Sequence, residues 1–282
     1  SQRHFSGKDS IGGFVWANNE RLMLNIAREG GALEKPVATG ELFAMDANGK
    51  RSLFLTGISS KDKSTTVSIV IDWLQKEEDN VVIAEYNWRN KDPLVFFHKL
   101  NIKTGRKSSL GSAPIRAVAG GIAAFTDADG YPRLVAGLDS KDNEKLLIMH
   151  RAERSGEWQT VASYSHKTGS FFPLAFSADG STVAICAHVN DGNGSSSGHV
   201  RVYRWNSSAW VQQGGDINGE VAYDASGYSV SLSADGSTVA IGAYANDGNG
   251  STSGHVRAYR WNSSEGVQQG CDNEAVAPYD YT

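Results

Sequence analysis

Asp191-Gly192-Asn193-Gly194-Ser195 and Asp247-Gly248-Asn249-Gly250-Ser251 place oxygen-bearing side chains at alternate positions, the opening spacing of a calcium loop. Asp191, Asn193, Asp247 and Asn249 are therefore the candidate metal ligands, and calcium is the one candidate cofactor. Both loops lack the later bidentate acid that closes such a site. A plain turn-rich loop, in which Asn and Gly tolerate positive φ, accounts for the same residues and is the preferred reading. Gly194-Ser195-Ser196-Ser197-Gly198 is a formal G-x-S-x-G, the pattern that sets a nucleophilic serine on a strand-to-helix elbow. Here strand-like sequence stands on both sides, the sister loop has Thr252 in the serine position, and no acid and histidine follow in the required order. No catalytic residue is expected, and the chain is read as a non-enzyme.

The remaining chemistry-bearing residues read as structural. His199 and His255 occupy the same place in two copies of a repeat, at a strand start. Cys186 and Cys271 have neither zinc spacing nor a disulfide framework, and free thiols are expected. Trp205, Trp210 and Trp261, with Tyr203 and Tyr259, are candidates for a carbohydrate or peptide platform, against packing between sheets as the preferred account. Asn193, Asn206, Asn249 and Asn262 each begin an Asn-x-Ser sequon, an acceptor only in a eukaryotic secretory route.

The elements that carry these residues are repeated. Ser177 to Gly214 and Ser233 to Gly270 align at an offset of 56, with 31 of 38 positions identical. Within the unit a turn at Asp179-Gly180 precedes Thr182-Val183-Ala184-Ile185. A Gly/Ser/Asn loop follows, then His199 to Trp205 alternates, and Trp210-Val211-Gln212 is a short last run. Phe172 to Phe176 supplies the first strand of a four-strand meander. The same grammar, without the identity, can be followed back to the start of the chain. Leu22, Val81, Leu134, Val183 and Val239 mark second strands at steps of 59, 53, 49 and 56 residues.

An all-β chain of about five four-stranded antiparallel blades, a β-propeller, is the fold expected, with a sandwich or open solenoid as the alternative. The units span about 10–57, 66–111, 115–168, 171–215 and 227–271 of a single propeller, 1–282. No segment calls for a long helix. The 282 residues suffice for such a ring, and 31 glycines with only 6 prolines suit many tight turns.

A formal charge of -4 gives no general attraction for nucleic acid or anionic membrane, and no apolar run reaches the length of a membrane span. Charge is uneven: residues 1–170 carry +3 and residues 171–282 carry -7, with no lysine after Lys167. The repeat identity also begins abruptly. A seam between two propeller sources is placed at about 171–181, against recent duplication of the last blade in one gene.

The part from about His4 to Ser181, carrying GGFVWANNERLMLNIAREGG, GELFAMDANGKRSLFLTG and FFPLAFSADGSTV, resembles the propeller of prolyl oligopeptidase-like serine peptidases. In that family the propeller caps an α/β-hydrolase domain and filters peptides, and five units leave no room here for that domain. Were a peptide-sensing funnel retained, Arg89, Lys91 and Arg116 are the residues to line it. The second part resembles FG-GAP-like repeats of integrin α-chains and bacterial surface proteins, through Gly227-Tyr228-Ser229-Val230-Ser231, Ala240-Ile241-Gly242-Ala243 and Gly254-His255-Val256-Arg257-Ala258-Tyr259. It departs from that family at Ser226, at Tyr244, and at Ser233-Ala234-Asp235-Gly236, where the family's acidic calcium loop is reduced.

The resulting expectation is a non-catalytic propeller scaffold or binding module of hybrid origin for an unknown peptide or protein ligand. A monomer is expected rather than a dimer. The alternatives are a peptide-gating propeller without its hydrolase and an FG-GAP-like surface adhesion module. The resemblances imply an extracellular or periplasmic soluble protein.

Overall fold

The computed structural model describes residues 9–28, 37–57, 65–87, 94–117, 122–142, 144–165, 172–262, 266–269 and 273–274. The chain divides into two compact units, residues 1–124 with 129–132, and residues 125–128 with 133–282. Strands β1 (Asp9–Trp16), β2 (Arg21–Arg28), β3 (Val37–Asp46) and β4 (Leu53–Thr56) form the first sheet, in chain order. The second sheet is β5 (Thr66–Asp72), β6 (Asn80–Asn87), β7 (Val95–Asn101) and β8 (Lys107–Ala113), again in chain order. A two-residue strand, β9 (Ile115–Arg116), ends this part of the chain.

The third sheet is β10 (Ala123–Thr126), β11 (Pro132–Asp139), β12 (Lys145–His150) and β13 (Gln159–Ser165). The fourth is β14 (Phe172–Phe176), β15 (Thr182–Ala187), β16 (His199–Trp205) and β17 (Trp210–Gln212), with β18 (Ile217–Asn218) also on β16. The fifth repeats it: β19 (Ser229–Leu232), β20 (Thr238–Ala243), β21 (His255–Trp261) and β22 (Gly266–Gln268), with β23 (Asn273–Glu274) also on β21. Neighbouring strands within these sheets run antiparallel, and no helix occurs among the described residues.

Alternation along the strands explains the packing. On β15, Ala184 and Cys186 face one way, opposite Val202 and Val200 of β16. That face packs against Val239 and Ile241 of β20, with Val230 and Leu232 of β19 beside them. In the first unit, Met23, Leu42 and Ala44 of the first sheet meet Val81, Ile83 and Leu100 of the second. The Asp-Gly turns work as the sequence requires. Asp179 accepts a hydrogen bond from the Ser181 backbone N–H, Asp235 accepts one from that of Ser237, and Gly180 and Gly236 stand at φ +74° and +65°.

Candidate ligand site

A wedge-shaped cleft opens in the first unit between the first and second sheets, with a volume of about 720 Å³. Its existence depends on glycines at two places. At Gly40 the backbone has φ +74°, and a Cβ there would stand 2.6 Å from Val67 Cγ1 and 2.9 Å from Val67 Cα, so only glycine lets β3 run this close to β5. On β1 the register shifts between Ile11 and Gly13, and a Cβ on Gly12 or Gly13 would meet the Asn25 side-chain oxygen at 3.2 or 3.1 Å. The shift leaves Phe14 71% exposed beside the opening.

Leu24, Leu42, Val67, Val70 and Trp73 supply much of the apolar wall; Asn25, Ser68 and Tyr86 supply polar side chains, and among the described residues no charged one lines the cleft. Burial pushes the Tyr86 phenol above its ordinary pKa, so at neutral pH it remains protonated and can donate. A concave, mainly apolar cleft with a few convergent polar groups has the make-up of a small-ligand site.

Behind the floor lies a buried polar cluster. Ser68 donates to Glu85 Oε1 at 2.7 Å, Thr56 donates to the same oxygen at 2.5 Å, and Lys107 Nζ lies 2.6 Å from both Glu85 Oε1 and Thr56 Oγ1. His98 Nε2 stands 3.3 Å from the other carboxylate oxygen. Burial pulls the Glu85 pKa up, but the bonds from Lys107, Thr56 and Ser68 outweigh it and hold the carboxyl below its ordinary value. Serine, lysine, histidine and glutamate here do not form a nucleophilic site. Ser68 donates its hydrogen bond to Glu85 Oε1, which also accepts from Thr56 and Lys107, so the carboxylate is a weak base toward the serine. The cluster ties β4 of the first sheet to β5, β6, β7 and β8 of the second, and it fixes the cleft floor.

The residues singled out from the sequence lie elsewhere. Asp191 accepts the Ser196 N–H at 2.7 Å, and Asp247 accepts the Thr252 N–H at the same distance; Ser196 and Thr252 both have φ +49°. Asn193 donates its side-chain amide to the carbonyls of Gly219 and Glu220, at 2.8 and 2.9 Å. These side chains shape their loops, and no group of three or more metal-binding side chains occurs among the described residues. Ser196 has the positive φ of a nucleophile elbow, yet Thr252 shares it, and both loops lead into strands, β16 and β21.

His199 and His255 begin β16 and β21, near Asp216 and Glu220 respectively. Trp205 and Trp210 enclose the buried His150 together with Phe176, and Tyr259 and Trp261 pack onto the core between the fourth and fifth sheets. Burial, with Arg133 nearby, pushes the His150 pKa down to about 4. Arg116 is half-buried in β9, while Arg89, Lys91 and Cys271 lie outside the described residues.

Cys186 is a buried free thiol whose pKa is raised by burial. At pH 8 the folded chain is expected to leave Cys186 unlabelled by iodoacetamide, and urea to expose it, as read by mass spectrometry of the peptide containing it.

The cleft residues were not foreseen. All but Trp73 come from five strands that the fold alone brings together, and the one local signal is Gly12-Gly13 inside a strand.

The family model of the FG-GAP repeat matches residues 218–259, from β18 into β21. Comparison with curated protein sequences gives no match. Among solved structures, the β-propeller domain of the Trilobed protease from Pyrococcus furiosus, described as having an open velcro topology, is similar at a TM-score of 0.50 and 10% identity. The match covers 94% of this chain and 72% of that one. The fold is that of a β-propeller. A post-proline cleaving enzyme from Rickettsia typhi is similar at a TM-score of 0.47 and 11% identity, over 95% of this chain and 37% of that one. A prolyl endopeptidase structure is similar at 0.48 and 12%, over 97% and 37%. The propeller chain thus spans little more than a third of the length of either peptidase.

Proposed function

We propose that this β-propeller chain is a non-catalytic binding module, joined from two repeat sources, that takes an uncharged, mainly apolar peptide segment in the wedge of its first unit. The observation that carries this reading is the lining. A cleft of about 720 Å³ has apolar walls, the Asn25 amide and the Tyr86 phenol, and no charge among the described residues that line it. A charged ligand would lose its hydration there without a partner, whereas a capped apolar peptide loses little and finds hydrogen-bonding groups for its amides. The join near 171–181 is supported by the onset of the 56-residue identity and by the change of charge across it. The FG-GAP match supports placement outside the cytoplasm.

The test is a titration of intrinsic tryptophan fluorescence with acetyl-Leu-Pro-Phe-amide. Saturable change is expected, since Trp73 lines the cleft, and Ala38→Trp, which fills it from an exposed position, is expected to weaken binding at least tenfold with the circular dichroism spectrum unchanged. A Tyr86→Phe chain should bind several-fold more weakly, by loss of one donor. Equal binding by the parent and the Ala38→Trp chain would remove the wedge as the site.

A further inference from the structure

The second unit contains a worked example of how one of its sheets receives the next. The trailing face of the fourth sheet presents Ala175, Ala184, Cys186, Val200 and Val202, all buried under the leading face of the fifth, where Val230, Leu232, Val239 and Ile241 interlock with them. Glycines set the approach. A Cβ on Gly227 would stand 3.0 Å from Val200 Cγ2 and 3.1 Å from Cys186 Cβ, and one on Gly236 would overlap Thr182.

The loop 190–198 completes the joint. The backbone N–H groups of Tyr223, Ala225 and Ser226 donate to the carbonyls of Ser195, Ser196 and Ser197 at 2.7, 3.1 and 3.0 Å, and Gly219 donates to Gly198. Tyr228 of the arriving repeat sets its ring edge-on to His188, with centroids 5.5 Å apart.

The fifth sheet carries the same trailing face. Ser231, Ala240, Gly242, Val256 and Ala258 stand at the counterparts of Ala175, Ala184, Cys186, Val200 and Val202. Val256 is 42% exposed where Val200 is fully buried, and Ala240 and Ala258 are likewise more open than Ala184 and Val202. The receiving loop is also formed. Asp247 holds Thr252, Ser253 Oγ donates to the Asn246 carbonyl and Gly254 N–H donates to the same carbonyl, as Asp191, Ser197 and Gly198 do in the loop before. Tyr244, 49% exposed, occupies the place of His188.

We infer that the trailing face of the fifth sheet is a docking surface for the leading face of another repeat of this same 56-residue kind. The partner is defined by its chemistry. It brings a Gly-Tyr-Ser-Val-Ser-Leu strand, a Thr-Val-Ala-Ile-Gly-Ala strand and an Asp-Gly turn whose glycine can pass over Thr238. The interface it forms is continuous with the one already present between the fourth and fifth sheets. It is independent of the cleft in the first unit.

The test inserts a second copy of residues 219–274 between Glu274 and Ala275 of the full chain. Because neighbouring repeats stabilise one another through their shared interface, the longer chain should melt about 5 °C or more higher than the parent, with slowed amide exchange along β21. Val256→Lys should remove that gain in the longer chain while moving the parent's melting point little. An unchanged midpoint with the added copy open to protease would overturn the inference. So would a Val256→Lys parent that is destabilised as much as the longer chain, since the face would then already be covered within the parent.

Discussion

Replacing Glu85 by alanine should lower the stability of the first unit by about 2–4 kcal/mol, chiefly from the two buried hydroxyls left without their acceptor. The side chain of Glu85 is 8% exposed, and one of its oxygens receives Thr56, Ser68 and Lys107 together. Removing it leaves two buried hydroxyls and an ammonium facing one another, so the loss comes from the stranded partners more than from the missing bond itself. Glutamine should fall between, because it can still accept from the hydroxyls but leaves the Lys107 charge without its counterion. Urea unfolding of the three chains, with amide exchange at Val81 to Glu85 to assign the transition, measures the order.

The same cluster sets an acid limit. The folded-state pKa of Glu85 lies below its ordinary value of 4.5, so its contribution is fully present above that value and is lost as pH falls through the folded pKa. The first unit should therefore weaken progressively below about pH 4.5 in the parent. The glutamine chain should show a flatter profile, and identical acid profiles for the two would show that Glu85 is not the group responsible.

Gly198→Val should cost about 2–5 kcal/mol in the second unit, from a left-handed backbone forced on a branched residue and from overpacking. Gly198 has φ +77°, and a Cβ there would stand 2.1 Å from the Ser226 carbonyl oxygen and 2.7 Å from its nitrogen. Backbone atoms cannot swing aside as a side-chain tip can. The clash would separate the loop 190–198 from the linker that hydrogen-bonds to it and so loosen the joint between the fourth and fifth sheets. Gly215→Ala is the matched control, with nothing within 4 Å of the new Cβ, and should change stability by no more than about 0.5 kcal/mol. Chemical denaturation of both variants gives the comparison, and a Gly198→Val chain as stable as the control would refute the steric account.

The repeat made the architecture readable. A 56-residue identity, Asp-Gly turns and the alternation of His199 to Trp205 are local signals, and each leads to a strand or turn at that place in the fold. Phe172–Phe176 as a first strand and Trp210–Gln212 as a last one follow from the same grammar. The return of the chain as β18 and β23 was not visible, because two residues carry no periodicity.

The cleft was hidden for a different reason. Glu85 reads as one polar residue in an apolar strand, and its partners Thr56 and Lys107 are 51 residues apart. Only the packing of two sheets brings them together. The loops at Asp191 and Asp247 show the opposite case, a pattern visible in sequence whose carboxylates are bound to their own backbone. The aromatic residues divide similarly. Trp205 and Trp210 stand out by type but are committed to His150, whereas Phe14 and Trp73 stand at the cleft.

The divided outer strands of the last two sheets have a further consequence, for behaviour at high concentration. β8 and β13 each offer seven consecutive residues along an outer margin, but β17 and β22 offer three, and β18 and β23 two. A margin interrupted after three residues gives a passing chain too few aligned amides and carbonyls to template a cross-β stack. The near-identical sequences of the fourth and fifth sheets would otherwise favour such stacking between molecules. The break at 213–216 lets such a repeat recur side by side without inviting aggregation along its outer margin.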